Sequence, residues 1–453
     1  MKIINPATEE IITEHKVDHE SSIKEKNARL KIGGKKWAKI SVKERLSCII
    51  KFGELVKENI NELADILTSE TGKPLWQSMN EIRGAQNRIE HLKSNAEKWL
   101  KEELIVEGDT SEKIVYEPLG VIGNISAWNF PYNVGYNVFL YALVGGNAVL
   151  YKPSEFATLT GLKFRELLWK AGVPNDVFEC AIGEGNVGNM LLEADLDGYF
   201  FTGSYKTGKY IAEKVASKLV QVQLELGGKD PLYIMDDVPD IKQAAINAAE
   251  GAFYNNGQSC CAVERIYVHK NIYDQFLNEF VQEVKRYRIG DPMEDGTFIG
   301  PVTRSAQIDI LLNQIADAID KGAKVLTGGK AIGGKGYFIE PTVLSEVNHE
   351  MLVMKEESFG PIIGIQKVKN DEEALALMQD TDYGLTSAVF SSDQLRAEKM
   401  LSQLNTGTAY WNYCDRVSPN VPWSGRKNSG LGSTLSYQGI RAFVQPKSYH
   451  LRS

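Results

Sequence analysis

Tyr199-Phe200-Phe201-Thr202-Gly203-Ser204, followed by Ile211, Val215 and Leu219 at four-residue spacing, is the stretch that decides the fold. A short apolar run ends in a small polar turn and becomes a segment with one apolar face, which reads as strand, turn and helix. The same alternation extends outward in both directions. Upstream, strand-like Asn147 to Tyr151 leads into helical Leu159 to Lys170, which Gly172-Val173-Pro174 ends before Asp176 to Ile182 turns extended. Downstream of Gly228, extended Pro231 to Met235 and Arg265 to His269 alternate with helical Ile241 to Tyr254, Ile272 to Tyr287 and Ile308 to Ile319, and extended pieces run from Lys324 to Val368. Strands alternating with helices predict an α/β protein with parallel sheets. Nearer the N-terminus, Leu46, Ile49, Ile50, Val56, Ile60, Leu63 and Leu67 predict one long helix over Lys43 to Pro74, stopped by Gly72 and Pro74. Lys113 to Glu117 and Leu119 to Ala127 read as β-rich. The pair Gly227-Gly228 permits a sharp change of direction and puts a domain boundary between Leu226 and Lys229.

Composition bounds the function. The 453 residues suggest two or three structural units. Lys and Arg number 51 against 59 Asp and Glu, a formal charge of -8, and no basic stripe is present to follow nucleic-acid phosphates. The mean hydropathy of -0.26 and the lack of a long apolar run argue against a membrane span. The isoleucines near Met1 make too short a run for a signal peptide, so a cytoplasmic location is expected. Five cysteines, Cys48, Cys180, Cys260, Cys261 and Cys414, are an odd number in a large chain. That argues against a disulfide framework and for a cysteine used as a reagent. No metal-ligand set is assigned.

Several segments carry chemistry. Phe253-Tyr254-Asn255-Asn256-Gly257-Gln258-Ser259-Cys260-Cys261 sets cysteines after a helix and a turn, where a thiolate would be a strong nucleophile; a pair of small buried hydrophobes is the plainer alternative. Leu224-Glu225-Leu226-Gly227-Gly228-Lys229 places a carboxylate between leucines, a setting that raises its pKa toward general-base use, or simply ends a helix. Trp128-Asn129-Phe130-Pro131 follows a β-rich stretch with a neutral amide donor suited to an oxyanion, or with a turn asparagine. Gly203-Ser204-Tyr205-Lys206-Thr207-Gly208 opens a helix whose N-H groups would meet a pyrophosphate, although its glycine spacing departs from G-x-G-x-x-G. Lys152-Pro153-Ser154-Glu155 could bracket ribose hydroxyls, and Glu357-Ser358-Phe359-Gly360-Pro361 offers a carboxylate with an aromatic face. Both also read as surface turns.

In their order along the chain these six segments resemble the aldehyde dehydrogenase superfamily, NAD(P)-dependent enzymes that oxidise aldehydes to acids through a cysteine thioester. The resemblance runs almost end to end, from Asn5-Pro6-Ala7-Thr8 through Glu70-Thr71-Gly72-Lys73-Pro74 to Pro422-Trp423-Ser424-Gly425-Arg426-Lys427-Asn428-Ser429-Gly430. Glu225 and Cys260 stand 260 - 225 = 35 positions apart, as the family's base and nucleophile are expected to be. The resemblance implies Cys260 as nucleophile, Asn129 and the Cys260 backbone N-H as oxyanion donors, and Glu225 as the base that activates water. It further implies that Trp128, Lys152, Ser154, Glu155, Gly203, Ser204, Glu357 and Phe359 hold the cofactor. Relatives that pass the acyl group to coenzyme A commonly lack a carboxylate at the Glu225 position, so its presence points to a free acid. A carboxylate at Glu155 would accept from ribose hydroxyls and repel a 2'-phosphate, so NAD is expected as the preferred cofactor, with NADP possible.

The implied architecture is a Rossmann-like NAD-binding domain (1-99 and 119-226), an α/β catalytic domain (227-431) and a small β oligomerisation element (100-118 and 432-453). In that element the tail's Phe443 and Val444 suggest a strand added to a neighbouring subunit's sheet, so a homodimer or homotetramer is expected. Phe130, Tyr136, Asn137, Tyr254, Ser259, Arg416, Val417 and Trp423 are expected near the aldehyde. Tyr136 and Tyr254 stand where succinate-semialdehyde relatives carry arginines, and Asn137 replaces a tryptophan of the betaine-aldehyde aromatic box, so neither specificity is assigned. Arg416 would bind an acidic aldehyde, make a surface salt bridge or cap a turn. Three rival readings stand beside the dehydrogenase: a cofactor-independent thiol esterase, separable by NADH absorbance; a catalytically silent binding protein on the same fold; and a redox switch through Cys260 and Cys261.

Overall fold

The computed structural model describes residues 1-107 and 110-452. Two sheets built mainly of parallel strands form its frame. In the first, the strands lie in the order Gly430–Leu431, Gln221–Glu225, Gly198–Thr202, Val121–Ile125, Ala148–Lys152 and Phe178–Cys180, all parallel except the antiparallel Gly430–Leu431 edge. Strand order reverses beside Val121–Ile125, where Ile125 pairs with Phe201. Ligands of open α/β sheets bind beyond the carboxyl ends of the strands at such a reversal. The second sheet runs Lys324–Thr327, Thr342–Ser345, Ile362–Val368, Val263–His269, Asp230–Ile234, Thr386–Phe390 and Thr408–Trp411, parallel but for the first pair. The central strands of both sheets are buried and rich in Val, Ile, Leu and aromatic residues, as expected of parallel strands covered on both faces.

Several expectations change. Lys43 to Pro74 is two helices, Val42–Glu58 and Ile60–Thr71, broken at Asn59 (φ -107°, ψ 18°). Val56 and Leu63 are buried on either side of the break, so one apolar face crosses it and hides it from a periodicity reading. Gly72 does end the second helix, in the left-handed region at φ 78°. Leu219 does not share the face of Ile211 and Val215: the helix Tyr205–Val215 stops first, and Leu219 is 94% exposed at φ 54°. The helix Pro131–Val144 gives no one-sided pattern in sequence because almost every residue in it is buried.

The tail strand Val444–Arg452 pairs antiparallel with Thr110–Pro118 of its own chain, which in turn pairs with Glu103–Val106. The tail thus completes its own three-stranded sheet and leaves its other edge without a partner among the described residues. Phe443, read from sequence as part of that strand, instead stacks on Phe200 with ring centroids 4.3 Å apart and is fully buried. Gly108, Asp109 and Ser453 of the expected oligomerisation element lie outside the described residues. No helix among the described residues is long and apolar enough to cross a membrane.

Candidate active site

The loops that leave the carboxyl ends of the first sheet converge on one cavity of about 470 Å³. Val121–Ile125 delivers Trp128 and Asn129, Ala148–Lys152 delivers Lys152, Ser154 and Glu155, Gly198–Thr202 delivers Gly203 and Ser204, and Gln221–Glu225 ends on Glu225 itself. From the side of the second sheet, Cys260, Glu357 and Phe359 close the same cavity. Every catalytic and cofactor residue named from the sequence therefore lines one space.

Cys260 is half-buried and sits beyond an unusual backbone. Asn255, Asn256 and Gly257 follow one another at φ 53°, 57° and 67°. Asparagine and glycine tolerate this left-handed region best, so the Asn-Asn-Gly composition is what allows the chain to turn here. A Cβ on Gly257 would come 2.5 Å from the Gly360 carbonyl oxygen, which brings the nucleophile loop against the loop that carries Phe359. Gln258 fixes the next step, its side-chain oxygen accepting from the Thr303 N-H at 3.0 Å. Asn129 is buried, and its Nδ2 donates to the Gln258 carbonyl at 3.1 Å, which sets the amide beside the cysteine loop. Its own carbonyl accepts from Lys73 Nζ at 2.7 Å and from Asn255 Nδ2 at 3.1 Å.

Glu225 is 7% exposed. Thr434 Oγ1 donates to its Oε1, and Thr202 Oγ1 donates to Oε2 at 3.4 Å. Burial pushes this carboxyl up to about 7, against the opposing pull of those hydroxyls and of the Arg88 charge. Glu357 lies over Gly227, accepts from the Gly228 N-H at 3.1 Å, and is pushed up to about 8 by burial and by the neighbouring Glu264. Glu264 pairs with buried Lys229 at 2.6 Å and accepts from the Phe359 N-H at 3.1 Å, which holds Phe359 at φ 48°. The Phe359 ring meets Trp128 edge to face at 5.6 Å.

The cofactor end of the cavity fits a dinucleotide. Ser204 caps the helix Tyr205–Val215 by accepting from the Thr207 N-H, and Gly185 begins the helix Gly185–Glu193 with no side-chain cap; both residues line the cavity, so two helix starts border it. A Cβ on Gly185 would meet nothing within 4 Å, and one on Gly188 nothing nearer than Lys152 Cε at 3.8 Å. Ile125, Leu192, Phe201 and Ile211 supply an apolar wall. Burial lowers the Lys152 pKa while Glu155 and Glu184 hold it up. Ser154 Oγ donates to Glu155 at 3.2 Å.

Sequence reasoning missed Arg304, Gln307, Gly185 and Gly188, which line the cavity, and Thr434, which reaches Glu225 from the tail. Lys73 and Lys229 stand in quoted motifs that by themselves give neither lysine a task. Each of these two lysines is fully buried, yet in sequence neither differs from a surface lysine. The positions expected near the aldehyde divide. Arg416, Val417 and Trp423 line a second cavity of about 670 Å³ beside Asn87 and His91. Tyr136 does not join them: it is fully buried in an aromatic cluster, 5.6 Å from Phe52 and 5.5 Å from Phe139 by ring centroids. Asn137 is buried too and accepts from Arg88 Nε at 2.6 Å. Arg416 forms no ion pair among the described residues; its Nε donates to the Tyr413 hydroxyl at 3.1 Å.

Comparison with known proteins gives the family. The model of the aldehyde dehydrogenase family matches residues 1-449. The chain belongs to the aldehyde dehydrogenase family. An aldehyde dehydrogenase of Agaricus bisporus is 34% identical, with 99% of this chain and 91% of that protein covered. The structure of betaine aldehyde dehydrogenase from Staphylococcus aureus in complex with NAD+ superposes with a TM-score of 0.96 at 30% identity, covering 100% of this chain and 92% of the other. That of 3,6-anhydro-L-galactose dehydrogenase in complex with NADP gives 0.95 at 31% identity, covering 100% and 96%. The chain is thus an NAD(P)-dependent oxidoreductase of aldehydes with the mixed α/β fold of that family.

Proposed function

We propose that the chain oxidises its aldehyde to the free acid by covalent catalysis at Cys260, and that NAD is its preferred cofactor. The observation that carries this reading is the convergence of Cys260, Asn129 and Glu225 on one cavity with the residues suited to hold a dinucleotide. The Cys260 sulfur adds to the aldehyde carbonyl, and the Asn129 amide with the Cys260 backbone N-H stabilises the oxyanion that forms. Lys152, Glu155, Ser204 and Glu357 would hold NAD(P)+, which when bound would accept the hydride that the carbonyl carbon loses as the oxyanion collapses to the Cys260 thioester. Glu225 then takes a proton from water, which releases the acyl group from Cys260 as the acid. The Thr434 and Thr202 hydroxyls hold the Glu225 carboxylate in the wall of the cavity that Cys260 also lines.

The domain division at residues 226-227 and the role of the three-stranded sheet in a homodimer or homotetramer belong to the same proposal. The unpartnered edge of Val444–Arg452 supports the assembly, since exposed edges recruit further strands. A cytoplasmic location fits five free thiols.

Initial rates over a panel of aliphatic, aromatic, hydroxylated, amino and carboxylated aldehydes, each with NAD and with NADP, test the proposal. Reduced-nicotinamide absorbance with stoichiometric free acid is the expected result. Acid release from esters with no cofactor-dependent aldehyde turnover would replace the reading by a thiol esterase.

A further inference from the structure

Cys260 is flanked on both sides by residues tied to one carboxylate from outside its loop. Ser259 Oγ donates to Asp415 Oδ1 at 3.2 Å, and Cys261 Sγ donates to the same oxygen at 3.1 Å. Asp415 belongs to the loop after Thr408–Trp411, where Asn412 and Asp415 stand at φ 52° and 49°. That loop is seated firmly. Asn412 Nδ2 donates to the Ser391 carbonyl at 2.8 Å, and Cys414 packs so closely on the helix Ile241–Phe253 that a Cβ on Gly251 would come 2.6 Å from its sulfur. The adjacent thiols consequently differ: Cys260 lines the cofactor cavity, whereas Cys261 is 5% exposed and does not. The neighbouring Cys260 thiol, burial and the Asp415 charge all push the Cys261 thiol well above its ordinary range, which keeps it a protonated donor.

We infer that Asp415 is a positioning residue whose single carboxylate oxygen, by gripping Ser259 and Cys261, turns Cys261 inward and presents Cys260 alone to the cavity. Without the grip, two adjacent thiols at the end of a left-handed turn have no fixed choice of which faces the substrate. The inference rests on Cys260 as nucleophile, and the test separates the two ideas.

Iodoacetamide labelling of the full chain, with each cysteine assigned by peptide mass, should modify Cys260 and spare Cys261. In Asp415→Leu, Cys261 should label as well, with Cys260 labelling and kcat both reduced about tenfold or more, the scale of a small misplacement. Asp415→Asn should restore the native pattern, because its side-chain oxygen still accepts both hydrogen bonds. A folded Asp415→Leu protein that labels and turns over like wild type, or an asparagine variant no better than leucine, overturns the inference. Should the leucine variant fail to fold, the Ser259→Ala/Cys261→Ala double variant removes both donors and leaves the carboxylate; unchanged Cys260 labelling in it is equally decisive against the grip. Turnover surviving in Cys260→Ala would instead dismiss the nucleophile, whatever the labelling shows.

Discussion

The ammonium of Lys73 donates to the Asn129 backbone carbonyl at 2.7 Å while paired with the carboxylate of Glu81, and neither side chain of the pair is exposed. Glu81 in turn accepts from the Tyr132 N-H at 2.9 Å, and the ammonium lies 3.8 Å from the Phe130 ring centre. One buried ion pair thus holds the backbone on both sides of the turn that presents the Asn129 amide. Lys73→Met should destabilise the protein by about 3-5 kcal/mol in urea unfolding, because it leaves Glu81 buried without a counter-charge. Lys73→Met/Glu81→Leu should regain much of that stability yet remain slow, since Asn129 loses its anchor.

The acid limb of the rate profile should report Glu225. A carboxyl raised to about 7 is mostly protonated below that pH and cannot take a proton from water. Where acyl release limits turnover, kcat should therefore fall about tenfold per pH unit below that value and level off above it. Glu225→Gln should abolish the limb and accumulate a covalent acyl adduct visible in intact-protein mass. A wild-type limb centred near the ordinary glutamate pKa would contradict the desolvated setting.

Cys260→Ala should reduce aldehyde oxidation to background while NAD still quenches tryptophan fluorescence with near-native affinity. Trp128 makes such a signal available because its ring meets Phe359 in the cavity wall. Loss of binding together with loss of turnover would mean that the variant had lost the fold of the site.

Glu155→Ser should raise kcat/KM with NADP relative to NAD by about tenfold or more, as removing one close negative charge relieves repulsion of a 2'-phosphate. The effect should shrink as salt is added. Equal efficiency with both cofactors in the unaltered enzyme would remove the proposed role of Glu155.

Sedimentation at micromolar concentration should give the mass of a dimer or tetramer. A monomer there would refute the assembly drawn from the exposed Val444–Arg452 edge.

The candidate site was legible only through the order of its segments and their resemblance to the family: taken singly, Cys260, Glu225 and Asn129 read equally well as a buried cysteine, a helix-end or surface glutamate and a turn asparagine. The alternation of strands and helices was legible in the residues themselves, since strands buried on both faces read as apolar runs between turns. What stayed hidden depends on burial. Nothing in sequence distinguishes Lys73 from an exposed lysine, Tyr136 from a pocket tyrosine, or the break at Asn59 from a continuing helix, since each is settled by packing against distant segments. Thr434 was invisible because its partner Glu225 lies 209 positions away.

The Asn255-Asn256-Gly257 run limits how this enzyme can diverge. With a carbonyl only 2.5 Å from where a side chain would begin at position 257, even Gly257→Ala would wedge two loops apart. Lineages altering their diet of aldehydes are left to vary other walls, and libraries built to retrain the enzyme gain most by sparing that tripeptide.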